Sequence, residues 1–162
     1  MRVLHVLRLG LLVHVGVSAA VLPADMTAVF KSGLFCKTPF QGCVKQHTVP
    51  VPSPSAGQVL LKVAGSSINP CDVDYLEFGF GCSGGKGTLG MDAAGTIVAV
   101  GEDVRRLKVG DEVWADGGGV SGDSGTMADY ALMSEEQTGL KPKSINATLA
   151  ATIPLVGLTA LE

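Results

Sequence analysis

The chain has 162 residues, enough for one domain and a remnant of a second rather than for two full domains. Apolar residues make up 46% against 17% charged, and a net charge of −3 excludes a general nucleic-acid binder, which would carry a basic excess. Glycine is abundant, 22 residues or about twice the usual share, and with 8 prolines and sparse aromatics it points to short strands and tight turns, not a helix bundle.

Residues 1–20 stand apart from the rest. Arg2 and Arg8 are the formal charges before Asp25, Leu9 to Val17 is apolar apart from His14, and Val17-Ser18-Ala19 offers a cleavage-site pattern. The segment reads as a secretory signal or, being acid-free and arginine-bearing, as an organelle transit peptide. Without such a role the chain would be cytoplasmic. The stretch is too short and too interrupted for a stable membrane span. Met26 makes a natural domain start, and with the leader removed His47 is the histidine that remains, which limits catalytic and metal schemes.

The body then alternates strand and turn. Thr27 to Lys31 predicts a first strand, Lys37 to Gly42 a turn, and Val44 to Val51 a second strand running into Pro52 and Pro54. Gln58 to Ala64, bounded by Gly57 and Gly65, predicts a third. Asn69 or Ser67 suits a helix cap, with Pro70 at the first helical position and Asp72 in the first turn, and the helix runs to about Phe78. Residues 79–90 form a glycine-rich loop. Gly95 to Gly101 predicts a strand, Val109 to Ala115 a turn and strand, 116–126 a second glycine-rich loop, and Met127 to Met133 a further strand. Ala147 to Ala151 and Leu155 to Leu161 read as helical. The class is mainly β, with the rhythm of a small barrel.

The cysteines are Cys36, Cys43, Cys71 and Cys82. Two readings stay open: small loops closed by Cys36–Cys43 and Cys71–Cys82, or four ordinary thiols. No Cys-x-x-Cys occurs and His47 has no second histidine near it, so a structural zinc site is not expected. Gly79-Phe80-Gly81-Cys82-Ser83-Gly84 matches the dinucleotide glycine pattern in letters, but a helix precedes it where a strand is required. Gly85-Lys86 is followed by Gly87, which breaks the P-loop pattern. Asn146-Ala147-Thr148 is a glycosylation sequon that matters only in a secretory compartment.

Several motifs occur in order: Ser67-Ile68-Asn69-Pro70-Cys71-Asp72, Gly90-Met91-Asp92-Ala93-Ala94-Gly95, Val100-Gly101-Glu102-Asp103-Val104, Leu107 to Val113, Gly125 to Tyr130, and Gly157-Leu158-Thr159-Ala160. Over roughly residues 26–162 this resembles the N-terminal, GroES-like catalytic domain of the medium-chain dehydrogenase/reductases, in the zinc-independent quinone oxidoreductase and enoyl-reductase branch. The resemblance implies a partly open β-barrel with short helices over 26–150. Residues 151–162 would then start a cofactor-binding Rossmann domain of which the remainder is missing. Where the zinc alcohol dehydrogenases carry histidine and glutamate, this chain has Met91 and Asp92. Their cysteine ligand falls at Asn69, and their four-cysteine lobe has no counterpart. A methionine and an amide do not replace imidazole and thiolate on zinc.

The implied chemistry is zinc-free hydride transfer from NADPH to a quinone or an activated alkene such as an enone, whose oxygen gains negative charge. By the same resemblance, Asn69 sits beside nicotinamide and substrate and donates a hydrogen bond, Thr159 lies near the nicotinamide, and Tyr75 is a candidate proton donor. Against these stand plain structural roles: Asn69 as a helix cap, Asp72 as a loop support, Tyr75 as packing. Gly90, Gly95, Gly101, Gly110 and Asp111 read as turn and fold residues. With the cofactor domain missing, the expectation is a truncated protein inactive alone. The alternative is a non-catalytic GroES-like binding module or fragment. A homo-oligomer is compatible with either.

Overall fold

The computed structural model describes residues 21–33, 36–37, 40, 42–79, 88–117 and 125–162. The proposed targeting segment 1–20, Cys82, the glycine pattern from Phe80 onward and residues 118–124 lie outside them.

Strand β3 (Gln58–Ser66) carries the core, because it is apolar on both faces. Val59 and Leu61 enter a cluster with Ala93, Ile97, Val113, Ala131 and Met133, while Leu60 turns the other way to meet Met26, Ala28, Tyr130 and Leu132. Successive side chains of a strand point to opposite faces, so a strand buried on both sides is a near-continuous apolar run. The central sheet is antiparallel in the order β6-β3-β4-β5-β7, where β4 is Asp92–Val100, β5 Glu112–Asp116, β6 Tyr130–Ser134 and β7 Thr138–Leu140.

A hairpin of β1 (Asp25–Lys31) and β2 (Val44–Pro50) pairs in register from Asp25 opposite Pro50 to Lys31 opposite Val44. It joins the sheet through single bridges, Ala28 to Ala128 and Phe30 to Thr88. The Val29 amide donates to the Met127 carbonyl at 2.8 Å, and the Leu89 amide to the Val29 carbonyl at 3.1 Å. The sheet curls so that β1 partly closes it, which gives the mainly β, partly open barrel that the resemblance implies.

Helix α1 is Pro70–Phe78, with Asn69 as its cap and Pro70 at its first position, as the sequence predicts. It ends on Gly79, whose φ of 77° lies in the left-handed region that terminates helices at low cost. Helix α2 (Ala147–Ala150) is capped by the Asn146 side chain, which accepts from the Leu149 amide at 2.8 Å. Helix α3 (Pro154–Leu161) packs on β4 and β5.

Several boundaries differ from expectation. β4 starts at Asp92 rather than Gly95, because Asp92 and Ala93 pair with Asp116 and Ala115. β6 starts at Tyr130 rather than Met127, since the backbone of residues 127–129 bonds to β1, Leu89 and Val63 instead of continuing one ladder. β7 was not expected at all: three residues with a central glycine carry no strand pattern, and β5 supplies the pairing. Of the two cysteine readings, the structure joins Cys36 to Cys43, with Cα atoms 5.8 Å apart.

Candidate functional site

Asn69 is 4% exposed, and two carboxylates hold it. Its backbone N–H donates to Asp72 Oδ2 at 2.8 Å, within the first turn of α1. Its side-chain Nδ2 donates to Asp92 Oδ2 at 2.9 Å and to Ser67 Oγ at 3.3 Å. The Ser67 hydroxyl donates to the same Asp92 oxygen at 2.6 Å. A carboxylate accepts such bonds strongly, so the amide is fixed in orientation as well as position. The expectation that Asn69 donates outward meets this geometry: its amide protons already have acceptors inside the protein.

Asp72 and Asp92 have no exposed charge to give to water. Asp72 is 2% exposed and Asp92 fully buried. Burial pushes the Asp72 carboxyl above the ordinary carboxylate range, the Asn69 and Gly90 amides draw it back, and the Asp92 charge adds to the rise. The Gly90 amide donates to Asp72 Oδ1 at 2.9 Å, so one side chain staples the start of α1 to the segment leading into β4. Gly90 adopts φ 91°, and a Cβ there would crowd the Thr126 hydroxyl and Met127 backbone. Thr126 Oγ1 and Ser66 Oγ pair at 2.8 Å beside it.

Beyond this buried network opens a cleft of about 420 Å³ between α1 and α3. Pro70, Cys71 and Asp74 line one wall, and Leu155, Val156, Thr159 and Ala160 the other. Both sets follow helical spacing, so each is one face of its helix. Thr159 donates its hydroxyl to the Leu155 carbonyl at 2.9 Å, one turn back. The structure therefore brings Thr159 opposite the start of α1, directly after buried Asn69. Tyr75 is placed elsewhere. It packs with Cys36, Leu76 and Leu89, the Lys31 ammonium lies 4.7 Å over its ring, and its carbonyl accepts from that ammonium at 2.6 Å.

Met91 is 4% exposed, and its carbonyl accepts from the Gly117 amide at 2.7 Å. Among the described residues no group of three or more His, Cys, Asp or Glu is arranged to hold a metal ion. Sequence reasoning missed Asp92 and Ser67 as parts of the site. The signal was present: Asp92 is a lone charge in an apolar and small-residue run, and buried charges need partners.

Residues 55–143, more than half of the chain, match the alcohol dehydrogenase GroES-like domain family. The chain belongs to that family. Its relatives include the chloroplast envelope quinone oxidoreductase homolog of Arabidopsis thaliana, 35% identical over 122 residues that cover 70% of this chain and 35% of that protein. The mitochondrial NAD(P)H oxidoreductase RTN4IP1 of Homo sapiens is 35% identical over 119 residues, covering 64% of this chain and 29% of the relative. Among solved structures, the quinone oxidoreductase from Coxiella burnetii superposes with a TM-score of 0.69 at 26% identity, over 85% of this chain and 43% of the other. This GroES-like chain thus spans about a third of the length of the curated relatives it matches.

Proposed function

We propose that this GroES-like chain is the catalytic-domain part of an NADPH-dependent reductase of quinones or activated alkenes such as enones, working without zinc. The observation that carries the reading is buried Asn69, its side chain held by Asp92 and its backbone N–H by Asp72, directly before Pro70 in the wall of the cleft that Thr159 lines. The names of the relatives, quinone and NAD(P)H oxidoreductases, support the reaction class. Bound NADPH would supply the hydride. The chain's own residues do the rest: the α1 and α3 walls receive the nicotinamide end, Thr159 offers a hydroxyl there, and buried Asn69 fixes the start of the α1 wall. Tyr75 enters this proposal as a packing residue. Zinc-free chemistry fits the donor set, because Met91 and Asn69 are poor zinc ligands and the Asp92 oxygens are already engaged by three donors.

In this reading the cleft takes the nicotinamide end of the cofactor, and the pyrophosphate needs a site elsewhere. Dinucleotide affinity comes mostly from a glycine-rich turn feeding a helix N-terminus, and no such strand–turn–helix unit occurs among the described residues. A few hydrogen bonds at ~1 kcal/mol each do not offset an association cost of ~4–15 kcal/mol. The 162-residue chain alone should therefore show no micromolar NADPH binding by calorimetry and no quinone-dependent NADPH oxidation. Joined in frame to a family cofactor domain it should oxidise NADPH with quinone, and Asn69→Ala should lower that rate. Turnover by the chain alone would overturn its inactivity. A joined protein without quinone-dependent oxidation would overturn the reductase reading.

On location, we propose that residues 1–20 are a removable targeting segment. Their acid-free, arginine-bearing composition supports this, and the Cys36–Cys43 bridge suits an oxidising compartment. N-terminal sequencing of the protein from its cells should find a mature start after residue 19.

A further inference from the structure

We infer that Asp92 is a positioning residue that sets the two walls of the cleft against each other. One oxygen, Oδ2, takes Ser67 Oγ and Asn69 Nδ2 at the start of α1. The other, Oδ1, accepts from the Leu155 backbone N–H at 2.7 Å, in the first turn of α3. The carboxylate thus bridges 63 residues of sequence and faces the Leu155 N–H at the start of α3, where negative charge is favoured. It is fully buried, so water does not replace either set of donors. Thr159 rides on the same helix, its hydroxyl bonded to the Leu155 carbonyl. Moving Leu155 therefore moves Thr159 relative to Asn69.

The importance of this bridge for catalysis rests on the function proposed above, but the bridge itself does not. Its special property is that all its donors are N–H or O–H groups, so the bridging residue must be an acceptor on both sides. An amide of the same shape accepts on one side only. In Asp92→Asn the single oxygen turns to the two donors, Ser67 and Asn69, and leaves its NH2 facing the Leu155 N–H. Adding Asn69→Asp gives that NH2 an acceptor and lets the oxygen turn back to Leu155.

The test is amide hydrogen exchange, read by NMR on the whole chain, for wild type, Asp92→Asn and the double variant Asp92→Asn/Asn69→Asp. Asp92→Asn should accelerate exchange at Leu155 about tenfold, the equivalent of one lost charge-assisted hydrogen bond, while Leu61 and Ile97 in the sheet keep their protection. The double variant should restore Leu155 to near its wild-type rate, which a residue that merely fills space would not do. Unchanged exchange in Asp92→Asn, or a double variant no better protected than the single, would overturn the inference. No cofactor takes part, so a failed NADPH experiment overturns the proposed reaction and leaves the bridge standing.

Discussion

Asp72 shows how one buried side chain ties local structure to stability. Its two oxygens take the Asn69 and Gly90 amides, and burial holds its carboxyl above the ordinary 3.8. A native state that raises an acid's pKa binds the proton more tightly than the unfolded chain does. The stability from that difference is complete below the ordinary value and is lost as pH rises through the raised one. Asp72→Asn removes the titration, and its single oxygen drops one of the two amides, a cost of about 1–3 kcal/mol. The wild-type advantage over Asp72→Asn should therefore be largest near pH 3 and shrink toward neutrality in urea titrations across that range. An advantage that widens with pH would show that the carboxylate, not the acid, is the form the fold prefers.

At the scale of elements, close approaches between strands decide which substitutions the half-barrel tolerates. Gly95 lies in β4 against β3, where a Cβ would run into the Lys62 carbonyl. The strand register shifts at this point, between Val63 and Gly65, and the obstructing atoms are β3 backbone rather than a movable side chain. Gly95→Ala should cost about 2–3 kcal/mol, measured as a lowered urea midpoint with an unchanged slope. Glu135 joins elements differently. One of its oxygens accepts the amides of Arg105, Arg106 and Leu107, tying the turn after β4 to the turn after β6. The Arg106 amide leads in holding its carboxyl below the ordinary 4.5. The stability this gives is present above the ordinary value and lost as pH falls through the lowered one. Glu135→Gln should flatten the acid limb of a melting-temperature profile, and a limb as steep as wild type would remove this role from Glu135.

Across the whole molecule, the Cys36–Cys43 bridge closes the long connection between β1 and β2 and carries Cys36 into the cluster with Leu76 and Leu89. The Cys36 amide also donates to the Leu76 carbonyl at 2.9 Å, so the connection is fastened to α1. Loop-closure entropy for so short a ring is worth about 2–3 kcal/mol. Reduction with dithiothreitol, or the Cys36→Ser/Cys43→Ser pair, should lower the thermal midpoint by several degrees. Equal midpoints in oxidised and reduced protein would count against a stabilising bridge.

Local chemistry wrote much of this molecule into its sequence. Asn69-Pro70 before Asp72 sets the start of α1, because a polar cap, a proline without N–H and an early acid each satisfy a helix beginning. The apolar run of β3 declares a strand buried on both faces. The order of the Asn-Pro, Gly-x-Asp and Gly-Asp-Glu-Val motifs indicates the family, and the resemblance singles out Asn69 and Thr159. What the chain order did not contain is adjacency. β7 exists because β5 offers it a ladder, residues 127–129 leave their strand because β1 takes their backbone groups, and Tyr75 faces Cys36 rather than the cleft. Asp92 gains its role only when folding brings Ser67, Asn69 and Leu155 to one carboxylate. A hydrogen bond between residues far apart in sequence leaves no periodicity to read. It is the desolvation of the charge on folding, and the donors that must then answer it, that fix the site.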